Sequence, residues 1–216
     1  MHLLNFAEPV RAASSEITSW LDLLMKGGVV LIPIFLLSII SIYLFIERYL
    51  YLRRATAIDD KLVGLITREL QEGHHERANS LARNDPAAIG RILESGLSKV
   101  GKPVNDVENF IESTTNLEIT KMEKDTGYLG IIAGVAPMLG FIGTISGVIK
   151  IFYGISLADN ISIGIIAGGL YQKMICSGAG LIVGVVAYSA YHILQMKIDR
   201  YTIALQDNLI NFMRVL

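Results

Sequence analysis

The chain has 216 residues, 52% of them hydrophobic and 18% charged, with a mean hydropathy of +0.48, whereas soluble domains carry nearer a quarter charged residues. Its net charge of −1 offers no basic excess for nucleic acid, and its apolar fraction is too high for a disordered chain. The single cysteine, Cys176, excludes an intramolecular disulfide and any CxxC redox or zinc site.

The charges are segregated along the chain. Of 39 charged residues, 26 fall between Glu47 and Asp125, and only Lys150, Asp159 and Lys173 fall between Gly127 and Met196. This pattern predicts an all-α integral membrane protein with three transmembrane helices, whose long helices extend into a cytoplasmic helical domain. Residues 1–26 lack the basic start and apolar run of a signal peptide. With Trp20, Leu21, Leu23, Leu24 and Met25 they read as a short amphipathic segment at the outer interface, or as a frayed terminus.

The first span is 27–46, free of charge throughout. The insert, 47–126, reads as helices. Asp59-Asp60 caps one that ends at Gly73, and Asp85-Pro86 is an N-cap followed by proline at the first helical position. Ile89, Ile92, Leu93, Gly96, Leu97 and Val100 then form one apolar stripe. After Gly101-Lys102-Pro103, Asn105 and Glu108 form a capping box that opens a further helix. With no breaker before Pro137, that helix is expected to run straight into the second span. His74-His75-Glu76 is a poor metal site, since adjacent helical residues diverge by ~100° and no ligand stands four residues on. No other metal or cofactor motif is present, and no nucleophile–base pair or phosphate loop marks an enzyme.

The second span is 127–155, a turn occupies 156–160, the third span is 161–196, and 197–216 is a C-terminal tail. Arg48, Arg53, Arg54, Lys61, Lys121, Lys124, Lys197 and Arg200 flank one side of these spans, against Arg11 and Lys26 on the other. The basic side is cytoplasmic, so the N-terminus and the turn are outside and the insert and tail inside. His192, near the cytoplasmic end of the third span, reads as an interfacial polar residue or a proton relay.

Thirteen of the 20 glycines lie between Gly127 and Gly184, including four GxxxG pairs: Gly130/Gly134, Gly143/Gly147, Gly164/Gly168 and Gly180/Gly184. Small residues at this spacing let helix backbones approach closely, within a hairpin and between subunits, so a homo-oligomer is expected. Pro137, Gly140, Thr144 and Gly147 share one face of the second helix, and Lys173, Ser177, Gly180, Gly184 and Tyr188 one face of the third. Pairing the arms about a turn near position 158 brings Thr144 level with Gln172 and Lys173. Thr144 can bond back to its own helix, and Lys173 can snorkel to the interface. No Asp or Glu lies in any span, so a proton path here needs a carboxylate from another chain.

The stretch Ala136-Pro137-Met138-Leu139-Gly140-Phe141-Ile142-Gly143-Thr144-Ile145-Ser146-Gly147 closely resembles the second-span signature of the ExbB/TolQ/MotA family, Ala-Pro-Leu-Leu-Gly-Leu-Leu-Gly-Thr-Val-x-Gly. Gly169 to Leu181 resembles that family's Glu-Ala-Leu-x-x-Thr-Ala-x-Gly-Leu segment. The length, three spans and large loop after the first span resemble the ExbB/TolQ branch, whereas MotA-like members typically have four spans. The resemblance implies a stator subunit of a proton-driven motor in a bacterial inner membrane. Such subunits form a pentamer around the single spans of ExbD/TolR-like partners, whose membrane Asp carries the proton. The work reaches a TonB-like protein that energises outer-membrane transport, or a TolA-like protein in envelope constriction; a motility motor shares the mechanism.

Carried over by motif, Thr144 stands for the threonine facing the partner's acid and Ser177 for the third-span threonine. A hydroxyl serves both protonation states of a carboxyl, donating to the anion and accepting from the acid. Two positions depart from the family. Gln172 stands where the family has Glu and cannot titrate, and Lys173 beside it adds a charge near the outer mouth, snorkelling or paired with a partner acid. Lys173→Ala is then expected to shift the pH dependence of transport. The same departures fit a non-conducting membrane scaffold that keeps the packing without the ion path.

Overall fold

The structure, a computed structural model, describes residues 28–57, 60–157 and 163–214. All regular structure among these is helical: α1 (Leu31–Ala55), α2 (Asp60–Gln71), α3 (His75–Asn84), α4 (Ala88–Leu97), α5 (Val104–Glu123), α6 (Thr126–Ser156) and α7 (Ile163–Met213). Three helical stretches, Leu31–Ala55, Val104–Ser156 (α5 with α6) and Ile166–Met213, contain windows long and apolar enough to cross a membrane. The expected outer segment 1–26, Asp59 and positions 158–160 of the expected turn lie outside the described residues.

One compact unit comprises Ile40–Ile132 and the C-terminal stretch from Val186. Its core follows from the amphipathic stripes of short helices. Val63, Ile66 and Leu70 of α2 are buried, with Ala78 and Ala82 of α3 and Ile89, Ile92, Leu93 and Leu97 of α4. They join Leu52, Met122, Leu194, Ile198, Leu205 and Phe212 in one apolar cluster. Helix α2 ends at Gln71 and is closed by Gly73, whose φ of +80° suits glycine. The Gly73 N–H donates to Leu70 O and the His74 N–H to Glu69 O, closing the helix with a Schellman motif. Buried Glu118 of α5 accepts from Arg91 of α4 at 2.6 Å and from Lys121 at 2.8 Å. Burial pushes this carboxyl up, but the bonds and charges of Arg91 and Lys121 outweigh it and hold Glu118 below its ordinary value.

Several boundaries differ from the sequence expectations. Helix α4 starts at Ala88, because the Asp85 carboxylate accepts from the Ala87 N–H in a turn before the helix rather than capping it. Helix α5 starts at Val104 with Pro103 at its cap and no side-chain capping bond, so Asn105 and Glu108 lie inside it. The helix expected to run unbroken into the second span is interrupted at Lys124-Asp125, where Asp125 adopts φ +64°. The Asp125 carboxylate is ion-paired with the buried guanidinium of Arg48, and the Thr126 hydroxyl donates to Glu123 O at 2.6 Å. Positions 197–213 of the expected tail continue the helix α7.

The other unit comprises the chain up to Ile39 and Ala133–Val185. Its apolar cluster is small: Leu31, Ile34 and Cys176, with Val30, Leu139, Ala179 and Val183 packed against them. Many of its large apolar side chains are exposed in the single chain, among them Ile32, Phe35, Met138, Phe141, Met174 and Ile182. Lipid or further subunits are the natural cover for such surface.

Candidate functional site

In the second unit α6 and α7 meet backbone to backbone. A Cβ at Gly180 would stand 2.6 Å from Ala136 O and 3.1 Å from the Gly140 Cα. One at Gly140 would stand 3.1 Å from the Cys176 carbonyl oxygen and from the Ser177 Cα. One at Gly184 would stand 2.5 Å from the Pro137 Cγ and 3.1 Å from Ala133 O. Pro137 has no N–H for the Ala133 carbonyl four residues back, so Gly184 covers an acceptor that the helix itself leaves free. At Gly143 a Cβ would stand 2.6 Å from Cys176 Sγ, and at Gly147 it would collide with the aliphatic stem of Lys173.

The glycines of the four GxxxG pairs therefore divide. Gly143, Gly147, Gly180 and Gly184, with Gly140, serve the contact within the hairpin. Gly134 and Gly168 have nothing within 4 Å of a Cβ, Gly130 is in ordinary contact with Tyr191 of its own unit at 3.8 Å, and Gly164 is exposed.

The hydroxyls expected from the sequence lie at this close approach. Thr144 Oγ1 donates to Gly140 O of its own helix at 3.0 Å and stands 3.5 Å from the Lys173 carbonyl of the opposite arm. With its proton turned to Gly140, the oxygen keeps lone pairs to accept from an acid, and rotation lets it donate to an anion. Ser177 is half-buried, with its Cα beside Gly140. Gly140 is thus the common neighbour of both hydroxyl residues. No acidic side chain belongs to α6 or to α7 before Asp199. The side chain of Gln172 lies outside the described residues.

Lys173 lays its stem across Gly147 and places Nζ 3.7 Å from the Cβ position of Gly28. It lines a cavity of about 510 Å³ with Gly28, Ser146, Gly147, Lys150 and Gly169. Lys150 stood out in the sequence as one of three charges in a 70-residue stretch, but nothing local to it signalled a shared cavity. A larger groove of about 670 Å³ lies in the helical bundle between α5 and the end of α7, lined by Glu108, Ile111, Glu112, Leu209 and Met213 among others. Volume alone does not mark the site, since that groove holds neither the glycine contact nor the two hydroxyl residues beside it.

Two other motifs have defined neighbours. His192 makes edge-on contacts with the rings of Tyr188 and Tyr191, at 4.3 and 5.2 Å between centroids. His74 pairs with Glu69 at 3.1 Å and Glu72 at 3.7 Å rather than with His75 or Glu76. The ligand atoms of Glu69, Glu72 and His74 lie within 4.8 Å of one another near the surface, and Arg68 also pairs with Glu72.

Comparison with known proteins adds the family. Residues 84–207 match the MotA/TolQ/ExbB proton channel family. An ExbB-like biopolymer transport protein of Synechocystis is 27% identical over 81% of this chain and 70% of its own. An ExbB homologue of Methanothermobacter thermautotrophicus is 27% identical over 83% of this chain and 64% of its own. The Tol-Pal system protein TolQ of Haemophilus influenzae is 26% identical over 84% of this chain and 86% of its own.

Proposed function

The chain belongs to the MotA/TolQ/ExbB proton channel family, and from that premise we propose that it is the channel-forming stator subunit of an envelope motor driven by the proton motive force. The observation that carries this reading is the pairing of Thr144 and Ser177 about Gly140, in spans that contain no carboxylate. Hydroxyls from two arms can bond a carboxyl in either protonation state, but they cannot themselves carry a proton across the bilayer at neutral pH. The carrier is therefore a membrane Asp of an ExbD/TolR-like single-span partner, seated against α6 and α7 in a homo-oligomer, with five copies as the expected number. Proton transfer at that Asp drives a TonB-like protein and through it transport across the outer membrane. In this reading the protein sits in a bacterial inner membrane with its N-terminus periplasmic and its C-terminus cytoplasmic, and the basic residues flanking the spans support that orientation.

A second cargo has its own support. The alignment with TolQ runs over most of both chains, which favours a TolA-like protein and envelope constriction as the alternative output.

The test is proton uptake by vesicles containing the chain and its single-span partner. Thr144→Val should reduce uptake by roughly tenfold or more, the worth of a lost hydrogen bond to a charged group, while Thr144→Ser retains it. Unchanged uptake with Thr144→Val removes the hydroxyl from the path. If the wild-type complex takes up no protons at all, the scaffold reading stands instead.

A further inference from the structure

Lys150 and Lys173 come from different arms yet line one cavity of about 510 Å³. None of its described lining residues is acidic, and neither ammonium forms a salt bridge among the described residues. Two like charges lining one recess repel each other, so an anion beside them is favoured. The rest of the lining is uncharged: glycines including Gly28 and Gly154 leave room, Val29, Val30 and Ile151 are apolar, and Ser146 adds a hydroxyl.

An apolar groove adjoins the recess. A second cavity of about 310 Å³ shares Ser146 and Lys150 with the first and is otherwise lined by Ile142, Ile145 and Ile149. Their spacing sets the three isoleucines on one stripe of α6, reaching ~12 Å along the helix from Lys150. All three are about half exposed, at 54%, 45% and 62%. Because α6 ends at Ser156, Lys150 lies ~9 Å of helix from the end of the arm. That is a depth at which a lysine head meets phospholipid headgroups.

We propose that this composite recess binds an anionic phospholipid, with the phosphate between Lys150 and Lys173 and one acyl chain along Ile142, Ile145 and Ile149. The lysine pair alone would equally take a free phosphate or a partner's carboxylate. The isoleucine stripe leading away from the charge fits an amphiphile and gives those occupants nothing. The site adjoins the hydroxyl pair, since Thr144 Oγ1 stands 3.5 Å from the Lys173 carbonyl, but it uses other side chains, so it holds whether or not that pair conducts.

The experiment uses the full chain, purified in mild detergent and exchanged with equal amounts of phosphatidylglycerol and phosphatidylcholine of matched chains. Retained lipid is then counted by native mass spectrometry. Wild type should retain phosphatidylglycerol preferentially. The Lys150→Gln/Lys173→Gln double variant should lose that preference by roughly tenfold or more, and the Lys150→Arg/Lys173→Arg variant should keep it at unchanged helicity. Ile145→Ser/Ile149→Ser should weaken retention of long-chain phosphatidylglycerol while leaving a short-chain glycerophosphate unaffected. Equal retention by wild type and the Gln double variant overturns the proposal. Displacement of the lipid by tens of millimolar inorganic phosphate, or by co-purified single-span partner, also overturns it, assigning the lysines to a free anion or to a protein carboxylate.

Discussion

The helical bundle and the glycine-rich hairpin of this chain are held together by opposite means. In the bundle, contact is made by large side chains: Ile66, Ile89, Ile92, Leu93 and Phe212 are all fully buried. Water supplies the incentive there, at about 25 cal/mol for each Å² of apolar surface removed from it. In the hairpin, contact is made where side chains are missing, at Gly140, Gly143, Gly147, Gly180 and Gly184. Lipid provides no comparable incentive, so the arms gain from close backbone approach and from the polar groups that this approach serves. The same substitution therefore has opposite meaning in the two places. Truncating a side chain breaks the bundle, and adding one breaks the hairpin.

The largest effect should come from emptying the bundle. Phe212→Ala removes a buried aromatic ring and should cost about 3–5 kcal/mol, measured by denaturant unfolding in mild detergent. Next, Gly180→Ala places a methyl group 2.6 Å from Ala136 O and should cost about 1–3 kcal/mol by the same measurement. Gly134→Ala, which meets nothing within 4 Å, should lie within about 0.5 kcal/mol of wild type. If Gly134→Leu leaves the single chain folded but reduces its assembly on a sizing column, the open glycine face is a subunit contact. If all three glycine variants behave alike, the contrast between the regions is lost.

An effect comparable to that of Gly180→Ala concerns charge within the bundle. Glu118→Gln weakens the bonds from Arg91 and Lys121 and should cost about 2 kcal/mol at neutral pH. Because the folded state lowers the Glu118 value, its stabilisation is complete above the ordinary carboxylate range and fades as pH falls through the lowered folded value. The gap between wild type and Glu118→Gln should therefore narrow in acid. A gap that stays constant with pH removes the ionised carboxylate as the cause.

The spans were legible because charge-free runs of bilayer length are a local signal. The register of Thr144 against Lys173 was also legible, since two arms joined by a short turn leave little freedom. The break at Lys124-Asp125 was not, because neither glycine nor proline marks it. Asp125 holds φ +64° with Arg48 paired to its carboxylate, and that arginine stands 77 positions earlier in the chain. The destination of Lys173 was hidden in the same way: Gly147 lies on the opposite arm and Gly28 just before α1. Close contacts between distant segments leave no periodicity to read. The helix starts at Ala88 and Val104 were misplaced by one to two residues for a smaller reason, since Asp and Pro serve turns as readily as caps.

The chain contains a single thiol, and it is fully buried at the waist of the hairpin beside Gly143, Leu31 and Ile34. A thiol in such surroundings is chemically silent until something uncovers it. Cys176 is consequently a native clock for hairpin opening. Its alkylation rate in the assembled, energised protein measures how often the two arms separate, with no label introduced. If the arms turn as a closed pair during each work cycle, that rate will not change when the proton gradient is switched on.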